Sequence, residues 1–169
     1  ETAAASGSYV HDRRSGERVP IALSAATTPS RHEIDALFSS TVAAALDSAA
    51  LALCGPFPSE ALPLEIYRNL VADVRANGTP VIVDLSPPRL ESALEGGPDL
   101  VKINDWELAR YIEGPVDTAE RMRAAAQLLL DAGAGAAIIT RAGEPALELR
   151  GEEAWELVPP RFERGSREG

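Results

Sequence analysis

Cysteine and histidine are almost missing from this sequence. Cys54 is the only cysteine in 169 residues, so no disulfide can form within the chain. It follows the apolar run "ALAL" and reads as a small buried side chain. His11 and His32 stand far apart, and neither an HxxxH nor a CxxC spacing occurs, so no zinc site is expected. Positive charge is short as well: 16 Lys and Arg face 26 Asp and Glu, for a net charge of −10. A general nucleic-acid surface needs cations to neutralise phosphates, so no nucleic-acid partner is expected. An anionic small ligand is still allowed, because a few donors can hold one locally. No charge-free apolar run approaches the length of about 18 residues that marks a membrane span. The opening "ETAAASGSYVHDRR" lacks the basic start and apolar core of a signal peptide. A cytoplasmic protein is expected. No internal repeat or long low-complexity segment occurs.

The chain does have an ordinary globular balance, 45% apolar and 25% charged, and enough length for one domain with a sizeable core. "SGSYVHDRRSGERVPIAL" suggests two short strands joined by a turn at Ser15-Gly16. From Ser30, the apolar residues Ile34, Leu37, Phe38, Val42 and Leu46 recur at helical spacing. "ALALC" suggests a buried strand, and the Pro-rich loop after it leads to a helix that buries Ile66, Leu70 and Val74. Asn77-Gly78 closes that helix. "PVIVDL" is apolar on both faces, as a parallel strand covered on each side should be. "PPRLESALEG", "LVKI", "DWELARYI", "TAERMRAAAQLLLDAG" and "AAIIT" continue as helix, strand, helix, helix and strand. "ALELR" and "WELVP" form a hairpin around Gly151-Glu152. Repeated strand–helix units predict an α/β three-layer sandwich with a mostly parallel central sheet and right-handed crossovers.

Ligands of such sheets bind beyond the carboxyl ends of the strands, so the residues just after each strand carry the functional question. Gly55 lets backbone approach a ligand, or simply makes a turn with Pro56. Asp84 ends its strand, and Ser86 after it reads as the N-cap of the next helix. Asn104 or Asp105 can cap the helix that follows "LVKI", with Glu107 in its first turn, where the helix dipole favours an acid. Capping leaves Lys102 unexplained. Asn104 and Glu107, three apart, project to the same side, and a carboxylate there could hold water on a magnesium ion. Thr140, Arg141 and Gly143 offer a hydroxyl, a guanidinium and a glycine suited to phosphate oxygens, or a glycine turn beside a solvated arginine.

Three stretches carry a family resemblance. "ALALCGPFPSEALPLEIYRNLVADVRANGTPVIVDLS" resembles a strand, a Ser-Gly-Ser-Leu-Pro loop, a helix and a strand ending in Asp-Thr-Ser. "PDLVKINDWEL" resembles Pro-x-Leu-Ile-Lys-Pro-Asn-x-x-Glu-Leu. "GAAIITRAGEPALEL" resembles a strand ending in Thr/Ser-x-Gly before a hairpin. These are features of PfkB-type carbohydrate kinases of the ribokinase-like fold, and the sequence is most similar to the branch of 1-phosphofructokinases and tagatose-6-phosphate kinases.

The resemblance implies transfer of the ATP γ-phosphate to a hydroxyl of a sugar or sugar phosphate, with ATP and Mg2+ as cofactors. It implies nucleotide-side roles for Lys102, Asn104, Glu107, Thr140, Arg141, Gly143 and Gly169, with Glu107 acting on magnesium through water. Gly55 and Asp84 would lie on the substrate side. The sequence departs from the family where Cys54-Gly55-Pro56 replaces Ser-Gly-Ser and Ala142 and Pro145 replace glycines. An arginine of the phosphosugar branch, which would fall near Ala3, is missing.

Residues 1–169 correspond to the middle of the family domain. The N-terminal sugar-binding and lid part is expected to lie outside them. The Gly-Ala-Gly-Asp helix, with its general-base Asp, would start at Gly169. The chain alone is expected to be inactive and the parent protein to be the enzyme, with exposed edges favouring homo-oligomers. The altered loops leave an alternative: a catalytically inactive module that binds nucleotide or sugar.

Overall fold

The structure is a computed structural model that describes residues 7–15, 19–24, 27–55 and 62–160. It begins with a two-stranded antiparallel sheet, β1 (Ser8–Asp12) and β2 (Val19–Ser24), whose register shifts between Val10 and His11. The strands agree with the expected pair; Gly16 of the expected turn lies outside the described residues. Helix α1 (Arg31–Leu46) follows, capped by Ser30 and Glu33 in a reciprocal capping box. Its apolar row finds little to pack on: Ala45 alone is fully buried, and Leu37 and Leu46 are exposed.

The main sheet takes its strands in sequence order: β3 (Leu51–Cys54), β4 (Val81–Asp84), β5 (Leu100–Asn104), β6 (Ala137–Arg141), β7 (Glu144–Arg150) and β8 (Glu153–Leu157). β3 to β6 are parallel, and β7 and β8 extend the sheet antiparallel as a hairpin. Between the parallel strands run α2 (Glu65–Ala76), α3 (Arg89–Glu95), and the pair α4 (Asp105–Tyr111) and α5 (Ala119–Asp131).

Strand order and handedness together decide where those helices go. When each strand is added on the same side of the last, right-handed crossovers all fall on one face of the sheet. Burial follows that rule. Val81, Val83, Val101, Ile103, Ala137, Ile139 and Leu149 are fully buried. They meet Tyr67, Val71 and Val74 of α2, Leu90 and Leu94 of α3, and Met122, Ala126 and Leu129 of α5 in one core. The alternate residues differ: Ile82, Leu100, Lys102 and Ile138 are half-buried, and Ala52 and Cys54 are exposed.

The α/β architecture is as expected, but the described residues build two of its three layers. Cover on both faces, expected from the apolar character of "PVIVDL", is realised on one. The burial expected of Cys54 fails for the same reason, since its side chain points to the less covered face. The helix–helix seam is tight at Gly96: a Cβ there would lie 2.6 Å from the Arg68 carbonyl oxygen and 2.8 Å from Val71 Cβ.

Candidate functional site

The less covered face carries most of the polar residues singled out from the sequence. Lys102 and Asp84 stand on it at the carboxyl ends of neighbouring strands. The β4–β5 pairing matches Ile82 with Leu100 and Val83 with Val101, so the next step sets Asp84 beside Lys102. Lys102 Nζ donates to Asp84 Oδ2 at 3.0 Å. Lys102 is the single lysine among the chain's 16 basic residues. The pair is partly open to solvent, so it is an accessible charge couple and not a sealed structural bridge.

One strand further, Asn104 ends β5 and caps α4. Asn104 Oδ1 accepts from the Glu107 backbone N–H at 2.8 Å, and Asn104 Nδ2 donates to Glu107 Oε2 at 2.6 Å. α1 is closed by the same kind of box, so the motif alone marks a good helix start. A contact from outside the helix sets this one apart: Ser86 Oγ donates to Glu107 Oε1 at 3.2 Å. Ser86 does not cap α3 as its sequence position suggests. That helix starts at Arg89 behind Pro88, and Ser86 contributes only its backbone oxygen, accepting from Arg89 and Leu90. The hydroxyl is thereby left for Glu107. Ser86, Pro87, Glu107 and Arg110 line a cleft of about 120 Å³.

Thr140 lies beside Asn104 in the parallel register and is half-buried. Arg141 is turned to its own hairpin, donating from Nε and Nη2 to the Pro145 carbonyl at 2.8 and 2.7 Å. Ala142 sits at φ 45°, in the left-handed region where the resemblance has glycine. Gly143 is exposed, with open space where a Cβ would be. Gly55 accepts no close neighbour either: a Cβ would meet only Leu85 Cδ2, at 3.9 Å. Its N–H donates to the Asp84 carbonyl at 3.1 Å, which ties it to the same edge. Gly169 lies outside the described residues.

Asp84, Lys102, Asn104, Glu107 and Thr140 therefore share one edge, with Gly55 at its margin. Arg141 and Gly143 belong to the neighbouring hairpin turn. Sequence reasoning missed Ser86 as a partner of Glu107 and missed Arg110 entirely. No group of three or more His, Cys, Asp or Glu could cage a metal among the described residues. A lone carboxylate facing a cleft fits a magnesium ion that keeps most of its waters and takes its remaining oxygens from phosphate.

The fold is shared with ribokinase-like α/β proteins. Phosphofructokinase-2 from Escherichia coli in complex with potassium superimposes with a TM-score of 0.74 at 26% identity, over 92% of this chain and 50% of that one. The sequence relationship is narrower in kind. The pfkB family carbohydrate kinase profile matches residues 23–163, and the chain belongs to that family. It is 36% identical to a 1-phosphofructokinase of Rhodobacter capsulatus over 110 residues, 65% of this chain and 34% of the relative. It is 29% identical to a 1-phosphofructokinase of Haemophilus influenzae over 113 residues, 67% of this chain and 36% of that relative. The chain thus spans about a third of these curated relatives and half of the solved structure. No helix among the described residues is long and apolar enough to cross a membrane.

Proposed function

We propose that this chain is part of a cytoplasmic, ATP-dependent carbohydrate kinase, its residues forming the middle portion of a pfkB-type domain. The reaction moves the γ-phosphoryl group of ATP to a hydroxyl of a sugar or sugar phosphate. The bond from γ-phosphorus to the bridging oxygen breaks, and one to the sugar oxygen forms. The hydroxyl proton leaves to a base that is not assigned to any residue described here. The observation that carries this reading is the convergence of Asp84–Lys102 and Ser86–Glu107–Asn104 on one sheet edge.

Catalysis of phosphoryl transfer is mostly positioning and charge stabilisation, and each side chain has a part that suits it. Lys102 supplies a compact cation to a phosphate oxygen, and Asp84 holds it at the substrate side until a phosphate arrives. Asn104 fixes Glu107 through the capping box, and Ser86 fixes its second oxygen. Magnesium, when bound, would neutralise charge developing on the phosphates, with Glu107 meeting it through water. Thr140 lines the nucleotide side with Arg141 and Gly143.

Calorimetric titration of the chain with Mg·ATP tests the nucleotide site. Micromolar to millimolar binding, weakened at least tenfold by Lys102→Met, is expected; absence of heat from the unmodified chain would sink the reading. A coupled kinase screen of the protein containing this chain, against hexoses, ketohexose monophosphates and nucleosides, tests the transfer.

Ala142 at positive φ and the anchoring of Arg141 on Pro145 favour one alternative, a module that binds nucleotide or sugar without turnover. Mg·ATP binding with no acceptor in the screen would select it.

A further inference from the structure

We infer that the cleft of Ser86, Pro87, Glu107 and Arg110 takes a magnesium-bound diphosphate group, and that Arg110 is the cation that grips its oxygens. Under the nucleotide reading above, on which this rests, the diphosphate is that of ATP. Arg110 has no counterpart among the residues the family resemblance marked.

The argument starts from unspent charge. In a chain with 26 acids, arginines seldom lack a carboxylate. Arg14, Arg31, Arg68, Arg75, Arg121 and Arg150 each pair with one. The Arg110 side chain makes no ion pair or hydrogen bond among the described residues. Glu107 lies one turn earlier on the same side, yet its two oxygens are directed elsewhere, Oε1 to Ser86 and Oε2 to Asn104.

What holds Arg110 is an aromatic face: its guanidinium carbon lies 5.7 Å from the centroid of the Trp106 ring. Stacking a guanidinium on a ring restrains it while leaving its N–H edge free to donate. The cleft then offers a carboxylate for a hydrated cation and a planar fork for phosphate oxygens, a combination complementary to a metal-bound phosphate and to neither partner alone. Arg110 also ends α4, where a cation favours the helix dipole. That role is satisfied by any positive charge, whereas bidentate recognition needs the fork.

Trp106 provides the readout. With Trp155→Phe as background, the chain is titrated with inorganic pyrophosphate in the presence and absence of Mg2+, following Trp106 fluorescence. Magnesium-dependent binding is expected, weakened at least tenfold in Arg110→Ala and only partly restored in Arg110→Lys, with thermal melting of the lysine variant unchanged. Equal pyrophosphate affinity in Arg110→Ala and its parent, or no binding by the parent, overturns the assignment. The two readings fail separately. Mg·ATP binding lost in Lys102→Met but untouched in Arg110→Ala removes Arg110 and leaves the nucleotide site standing. Arg110-dependent pyrophosphate binding without ATP binding does the reverse.

Discussion

Ala142 shows what one side chain costs in a turn. Its φ of 45° brings Cβ towards the following carbonyl, a penalty of roughly 1 kcal/mol that glycine escapes. Ala142→Gly is therefore expected to raise stability by about 1 kcal/mol, less whatever the freer unfolded chain takes back. Urea denaturation measures it, and a midpoint that falls would mean that the turn is not strained. Glu107 shows a different economy. Its backbone N–H and its carboxylate complete a helix cap, while the same carboxylate reaches Ser86 in the cleft. This part of the site was legible in the sequence because it is local: residues three apart at a helix start must face one another. The Lys102–Asp84 and Ser86–Glu107 contacts were not, since they depend on how β4 is set against β5 and how far the chain runs before α3 begins.

Among the elements, the strand–helix order was legible almost throughout, because hydrophobic periodicity and the Gly and Pro punctuation agree. The failures are α1 and Cys54. Both carry apolar character that the pattern reads as burial, and pattern alone does not reveal whether a neighbour exists to bury it. The α2–α3 seam makes the opposite case, where contact is so close that only glycine fits. Gly96→Ala would drive a methyl into the Arg68 carbonyl oxygen and Val71. A loss of about 1–3 kcal/mol is expected, the usual range for overpacking. Thermal melting should show it, and an unchanged melting temperature would mean that α2 and α3 can separate at no cost.

For the molecule as a whole, apolar exposure is the dominant feature. Tyr9, Val10, Val19, Ile21 and Leu23 of the two-stranded sheet are all largely exposed, Ile21 by 64% and Leu23 by 60%. The larger sheet adds the half-buried Ile82, Leu100 and Ile138. Surfaces of this kind associate. The isolated chain is expected to form oligomers or aggregates at micromolar concentration, in spite of its net charge of −10. Light scattering that returns a monodisperse monomer would contradict this.

The one-sided cover of the sheet also reaches into the chemistry. Lys102 and Asp84 stand on the same face as those half-buried apolar side chains, so the attraction between them is adjustable. Coulomb energy scales inversely with the effective dielectric constant, and taking it from about 80 to about 20 strengthens a given charge pair about fourfold. Any layer laid over Ile82, Leu100 and Ile138 would act as a dielectric lid on the couple. It would tighten the grip of Lys102 on Asp84, and by the same factor its grip on a phosphate that displaced the carboxylate. Assembly of the protein and the avidity of its charges are then one variable.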